Sequence, residues 1–170
     1  MTIPFFFAAE AGSNDSALTL DEDNSRHAVS VLRMKEGEQL YLTNGKGTLL
    51  AASITEAHKK KCRIAITGIE QTAKPEPSTA IGISLVKNPV RFEWFLEKAT
   101  EIGITEIFPL LCQRTEKLHI RPSRLQQVLV SALLQSRQTW LPVLHAPITP
   151  QQLMSTVSYA QQFIAHCIDS

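Results

Sequence analysis

The sequence predicts an α/β protein that begins with a small β-barrel, and three observations carry that reading. Residues 1–72 consist of short alternating runs around one brief helix, residues 81–170 alternate strand with helix, and a stretch of prolines and small polar residues lies between. That stretch, "QTAKPEPSTA" at 71–80, has no periodicity and reads as a linker, with 73–80 assigned to neither half. Strand–helix alternation implies βαβ units, hence a parallel sheet covered by helices.

In chain order, "IPFFF" is the first strand. "DEDNSRHAVSVLR" follows, and its acidic start and apolar Ala28, Val29, Val31 and Leu32 suit a short helix capped near Asp21. "EQLYLTNGKGTLLAASIT" is two alternating runs around an Asn44-Gly45 turn, and "CRIAITGIE" is a further strand. Beyond the linker, strands are expected at "IGISLV", "EIFPLL" and "QFIAHC", with helices near 90–102, 122–137 and 150–158. The first of these helices places Phe92, Phe95, Leu96, Ala99 and Ile102 on one face and turns Glu93, Glu97 and Glu101 outward. Pro89 suits its start, and Gly103 its end, where a left-handed residue costs glycine nothing. "EIFPLL" is too short and apolar for a surface helix and reads as a strand buried on both faces.

Net charge is only +1 and hydrophobic content 44%, so the chain does not coat nucleic acid by bulk electrostatics and contact with it must be local. The dense cluster is "HKKKCR", where Lys59, Lys60, Lys61 and Arg63 serve either as a solvated hairpin end or as a phosphate contact. No apolar run approaches the roughly 18 residues of a spanning helix, and the N-terminus lacks the basic region of a signal peptide, which predicts a cytoplasmic address and no membrane partner. Cys62, Cys112 and Cys167 lie about fifty residues apart, which gives neither a disulfide framework nor a zinc site. His119, His145 and His166 lack ligand spacing, so no metal is expected. All seven glycines fall before residue 104, and no Walker loop, G-x-G-x-x-G or nucleophile elbow is present.

Three segments carry a family resemblance: "RHAVSVLRMKEGEQL" (26–40), "VRFEWFLEKATEIGITEIFPLLCQRTE" (90–116) and "LLQSRQTWLP" (133–142). Together they resemble the RsmE family, bacterial 16S ribosomal RNA uridine N3-methyltransferases. The matching positions are His27, Val31, Leu32, Arg33 and Gly37 in the first segment, Lys98, Glu101, Gly103, Pro109 and Arg114 in the second, and Gln135, Ser136 and Pro142 in the third. The resemblance implies a PUA-like RNA-binding barrel at 1–72 and, at 81–170, an incomplete SPOUT-type α/β domain, the knotted fold that wraps S-adenosylmethionine. Leu134 departs from the family, which commonly has Glu there. In the family a Gly-Pro-Glu-Gly-Gly-like loop and a further arginine-threonine-glutamate segment follow the positions matched here, so the resemblance implies a truncated cofactor site and an inactive 170-residue chain.

On that resemblance, the enzyme transfers a methyl group to N3 of a uridine, which must first lose its proton and spread negative charge over two carbonyl oxygens. Arg114 is the candidate to stabilise that anion, against the alternative of an ion pair with Glu116. Gln135, Ser136 and Arg137 form a second polar cluster that either meets RNA or complements a helix dipole. Lys98 and Glu101 either orient the substrate wall or form a plain helical pair. Arg26, His27 and Arg33 are candidates for RNA contact, with Arg33 read as facing phosphate and His27, among Ala28, Val29 and Val31, as a residue that backs the domain. Ala165, His166 and Cys167 would form one wall of the cofactor pocket. The implied partners are 16S ribosomal RNA or the small ribosomal subunit and a second copy of the chain. Two other readings stand beside this one: a non-catalytic RNA-binding and dimerisation module, and a small-molecule enzyme on a doubly wound sheet.

Overall fold

Alternation along Thr48–Glu56 organises the first half of the molecule: Thr48, Leu50, Ala52 and Ile54 are buried and the residues between them are not. The structure is a computed structural model that describes residues 3–12, 14–113, 115 and 121–165. Its first half holds β1 (Phe5–Phe7), β2 (Ala17–Thr19), α1 (Glu22–Arg26), β3 (Gln39–Thr43), β4 (Thr48–Glu56) and β5 (Arg63–Gln71). These strands form one sheet in the order β1-β3-β4-β5-β2, with β1 parallel to β3 and the rest antiparallel. The register slips between Ala51 and Ala52 and again between Ile54 and Glu56. Each bulge adds twist, and the sheet curls into a half-barrel around Leu40, Leu42, Leu50, Ile54 and Ile64. Burying a side chain of this kind contributes about 1.5–3 kcal/mol.

Helix α1 follows β2 in the chain and is tied down at both ends. Asp21 caps it by accepting from the Asn24 amide at 2.7 Å, and Glu22 and Asp23 occupy the first turn as the macrodipole favours. Ser25, fully buried, donates to the Leu20 carbonyl at 3.0 Å and accepts from the Cys62 amide at 2.9 Å, which fastens the helix to the start of β5. The helix then widens into a π turn over His27–Val31, with the Leu32 amide on the His27 carbonyl. The turn buries Ala28 but leaves His27 exposed, its ring edge-on to Phe6 at 5.8 Å, so His27 does not back the domain as its apolar neighbours suggest. Strand β2 has no counterpart in the expected elements. Its three residues alternate too briefly to show a period, and they hold only because β5 offers an edge.

The second half contains β6 (Ala80–Ser84), α2 (Pro89–Glu101), β7 (Glu106–Leu110), α3 (Pro122–Ser136), β8 (Val143–Leu144) and α4 (Pro150–Thr156). Its three strands run parallel in the order β6-β7-β8, with β7 in the middle and Ile107, Phe108 and Pro109 all buried. Helices α2 and α3 cover one face of this sheet through Phe92, Leu96, Ala99, Leu125 and Leu129. Asn88 caps α2 by accepting from the Val90 amide, with Pro89 at the first helical position. Arg124 of α3 grips Glu93 of α2 with a 2.7 Å contact, so Glu93 faces the neighbouring helix rather than open solvent. Ile102, expected on the core face, is 74% exposed, because the helix ends at Glu101 and the chain turns away at Gly103.

The largest departure from expectation concerns the third strand. "QFIAHC" is expected to supply it, yet residues 162–165 are exposed and form no strand, while His166 and Cys167 lie outside the described residues. Val143–Leu144 takes that place instead. The edge it occupies continues beside Ile148, whose amide bonds the Pro109 carbonyl at 3.0 Å, so no position beside β7 is left for a later segment. β8 is short because residue 109, the next donor in the ladder, is a proline without an N–H.

The two halves meet where the β3–β4 turn receives residues 138–141. The Gly47 amide bonds the Thr139 carbonyl at 2.9 Å, the Leu141 amide bonds the Gly45 carbonyl at 2.9 Å, and the Trp140 indole N–H reaches the Thr72 carbonyl at 3.1 Å. Asn44 shapes the turn, its side-chain oxygen accepting from the Lys46 amide at 2.8 Å and its amide nitrogen donating to the Ala11 carbonyl at 3.0 Å. A Cβ on Gly47 would lie 2.5 Å from the Trp140 ring and 2.8 Å from the Thr72 carbonyl oxygen, at φ +89°. Gly103 has a similar φ of +82°, with nothing within 4 Å of its added carbon.

Gly103→Ala is therefore expected to cost only the left-handed strain of about 1–2 kcal/mol, and Gly47→Ala several-fold more, because backbone and indole must both yield. Urea unfolding of both variants measures this, and equal losses would show that the junction gives way freely. A second expectation concerns pH. The hydrogen bond from Arg124, reinforced by its charge, holds the Glu93 carboxyl below the usual carboxylate range. A depressed carboxylate stabilises the fold above its unfolded value of about 4.3 and loses that contribution as pH falls through the folded value. Arg124→Gln should thus be less stable than the parent at pH 7, and the gap should close in strong acid. A gap that persists there would assign the loss to packing.

Candidate nucleic-acid interface

Residues from both halves line an open groove of about 380 Å³ beside the junction. β1 contributes Phe5, α1 contributes Asn24 and its π turn His27, and Leu32 follows; Leu134 and Arg137 enter from the end of α3. The strand period explains Phe5: three consecutive phenylalanines cannot share one face, so Phe6 goes inward at 4% exposure and its neighbours face out. Arg137 ends α3 in the left-handed region at φ 55°, its amide bonded to the Leu134 carbonyl, and its guanidinium crosses to donate to the Ile3 carbonyl at 2.9 Å. Arg33, next to Leu32, is also left-handed at φ 58° and exposed. His27 and Arg137, candidates for RNA contact from separate segments, thus line one groove, and Arg33 follows the lining residue Leu32 in the chain. Sequence reasoning misses Phe5, Asn24, Leu32 and Leu134 as lining residues, although the run "FFF" holds a usable signal for Phe5.

The basic cluster lies at the β4–β5 hairpin tip, where Lys59, Lys60 and Lys61 are all exposed. Lys60 faces Glu22 at 3.6 Å and Arg63 faces Glu56 at 3.5 Å, while Arg26 pairs with Asp23 one helical turn away. Exposed pairs of this sort are weak and leave the cations available to a phosphate. Cys62, between Lys61 and Arg63, is buried, and burial pushes its thiol up, so it stays a neutral packing residue.

Among the remaining candidates, Lys98, Glu101 and Ser136 have structural partners. Lys98 donates to Glu97 at 2.9 Å and to Glu101 at 2.9 Å, and these bonds raise its pKa, Glu97 foremost. Ser136 bonds back to the Ala132 carbonyl at 2.7 Å, whereas Gln135 beside it is exposed. Gln138, which no sequence signal singles out, donates to the Thr100 and Glu101 carbonyls at 3.0 and 2.8 Å and so satisfies the end of α2.

At the carboxyl ends of β6 and β7, Thr115 folds back on Cys112, whose amide it accepts at 2.8 Å, and reaches Ser84 at 3.4 Å. Ligands of open α/β sheets bind at such strand ends. Arg114 belongs to this loop in sequence but lies outside the described residues. Ala165 is exposed. At the opposite end of β7, His145 stacks on Phe108 with centroids 3.9 Å apart and meets Glu106 at 2.9 Å. Burial, then Glu106, pushes the Tyr159 phenol up nearby. Among the described residues no group of three acidic, His or Cys side chains could hold a metal, and no helix is long and apolar enough to cross a membrane.

A family described as "RNA methyltransferase domain" matches residues 72–169, and one described as "RNA methyltransferase PUA domain" matches 20–67. A curated relative from Synechocystis, ribosomal RNA small subunit methyltransferase E, is 28% identical over 159 residues, covering 91% of this chain and 51% of the relative. The protein of the same name from Rickettsia conorii is 26% identical over 145 residues, 84% of this chain and 58% of its own length. The chain therefore spans about half the length of the curated relatives it matches. Among solved structures, a probable rRNA-methyltransferase from Porphyromonas gingivalis superposes with a TM-score of 0.83 at 32% identity, over 92% of this chain and 65% of that one. Ribosomal RNA small subunit methyltransferase E from Neisseria gonorrhoeae, bound to S-adenosyl methionine, gives 0.78 at 25% identity, over 92% and 66%.

If the hairpin tip holds phosphate, replacing Lys59, Lys60 and Lys61 together by Ala should weaken RNA binding and make log affinity fall less steeply with log salt, by up to about one unit of slope for each phosphate no longer neutralised. Titration at several salt concentrations reads the slope directly, and an unchanged slope would move the phosphate-binding surface elsewhere.

Proposed function

We propose that this chain, which belongs to the RNA methyltransferase family, takes part in S-adenosylmethionine-dependent methylation of N3 of a uridine in 16S ribosomal RNA. The observation that carries the reading is the succession of an RNA methyltransferase PUA domain at 20–67 and an RNA methyltransferase domain at 72–169. In this reading residues 1–72 hold the RNA, 73–80 link, and 81–170 belong to the catalytic half. Two copies pair through their α/β halves, and the protein works on the small ribosomal subunit in the cytoplasm.

The described residues do not by themselves fit the adenosyl donor. Residues 104–170 contain no glycine, whereas close approach of backbone to a nucleotide draws on it, and Ala165 is exposed. What this chain's residues supply is on the RNA side. Uridine N3 carries a proton and becomes nucleophilic only as the imide anion, whose charge falls on the two flanking oxygens. A planar, permanently charged guanidinium suits that charge, and Arg114 holds this role in the proposal, following the buried strand β7.

Two measurements test the reading in the complete protein. Nucleoside digestion and mass spectrometry of treated 16S RNA should find 3-methyluridine; another methylated nucleoside would keep the methyltransferase and discard the position. Arg114→Ala should lower turnover by about 100-fold or more, on the scale of losing an oxyanion-stabilising donor, with donor affinity by calorimetry almost unchanged. Parallel loss of both would reassign Arg114 to donor binding or to the fold.

A further inference from the structure

The geometry points to the groove between the two halves as the seat of one unstacked nucleotide of single-stranded RNA, its base on the apolar lining and its phosphate at the cationic rim. This rests on the RNA methyltransferase reading and adds to it a place where the RNA is held, distinct from the basic hairpin tip.

Several observations converge. The groove's volume, about 380 Å³, falls in the range of about 300–1,000 Å³ usual for small-ligand clefts. Its apolar lining includes Phe5, Leu32 and Leu134, and a base offers a π-face that packs on aromatic and aliphatic groups whatever its identity. Its ionisable side chains are Arg137 and His27, with no carboxylate among the lining residues, which complements a phosphate and disfavours a cationic ligand. Arg137 spends one nitrogen on the Ile3 carbonyl and is otherwise exposed, so the same bond that joins the halves aims the guanidinium along the groove edge.

A further observation is strain. Among the described residues, the non-glycine positions in left-handed backbone are Arg33 and Arg137, one following the groove residue Leu32 and the other lining the groove. Such residues cost about 1–3 kcal/mol each and cluster where a site needs them. Here Arg137 lines the groove from the second half, and Arg33 directly follows the lining residue Leu32 in the first. Leu32 itself is 42% exposed and Val31 beside it 65%, an apolar cost that an RNA-free surface would not need.

The test uses the 170-residue chain and a single-stranded RNA roughly ten nucleotides long, within the site sizes of small RNA-binding domains. Leu32→Asp, at an exposed position, should weaken binding about tenfold, while Met154→Asp, on the exposed face of α4, should not. Replacing one nucleotide of the RNA by an abasic ribose should cost the parent chain affinity and cost Leu32→Asp little. Photocrosslinking with 5-iodouridine RNA gives an answer independent of any variant: adducts on peptides carrying Phe5 or His27 support the seat. Crosslinks confined to the Lys59–Lys61 peptide, or equal binding by Leu32→Asp, overturn it while leaving the methyltransferase reading intact. Dissociation of a dimer by Leu32→Asp in sedimentation would make the groove a protein interface and likewise overturn the seat. Absence of any methylated uridine from RNA treated with the complete protein would instead remove the parent reading.

Discussion

Everything that brings functional residues together here depends on one small contact, the acceptance of residues 138–141 by the turn between β3 and β4. The turn is tight enough to do this only because Gly45 and Gly47 both adopt positive φ, which lets backbone meet backbone and indole without an intervening Cβ. Gln138 works from the other side. Its side chain closes the end of α2 while its neighbours bond the turn, so the helix terminus and the domain junction are fixed by adjacent residues. The groove lined by His27 and Arg137 exists at the angle this contact sets.

Much of this architecture is readable because local rules and tertiary structure agree. Asn44-Gly45 marks the hairpin, Asp21 marks a cap, Pro89 and Gly103 bracket α2, and each occupies the role its chemistry dictates. The failures have a common cause in long-range context. Strand β8 has two residues and no pattern of its own, and it is a strand only because β7 offers a ladder there. "QFIAHC" has the composition of a strand, yet Phe163 and Ile164 are 88% and 77% exposed, because a short apolar run does not say whether an edge is free to receive it. His27 lies among apolar neighbours in sequence, but a π turn rotates it outward, and nothing in the spacing announces the extra residue in that turn.

The site is legible in its parts and illegible as a whole. Residue chemistry singles out His27, Arg33 and Arg137, but sequence separation hides that the first and last line one groove. The motif around "LLQSRQTWLP" divides its labour: Ser136 and Gln138 satisfy backbone, Trp140 anchors Thr72, the last residue of the first half, and Arg137 alone has charge to offer beyond the fold. A motif that looks like a binding signature is therefore in large part a joint. The same holds for Lys98 and Glu101, whose mutual bonds account for their spacing on the helix.

The position of Thr72 carries one more consequence. Its amide bonds Gly47 and its carbonyl accepts from Trp140, so the covalent connection between the halves leaves the first half at the very point where the halves touch. A handful of hydrogen bonds and one indole would hold two separate molecules together poorly, since free association forfeits translational and rotational freedom. Tethered at its own edge, the junction meets its partner at an effective concentration in the millimolar range typical of short linkers. Chain connectivity thus supplies affinity that the contact surface lacks, and a cut between residues 73 and 79 would leave every hydrogen bond of the junction available and still let the halves drift apart on dilution.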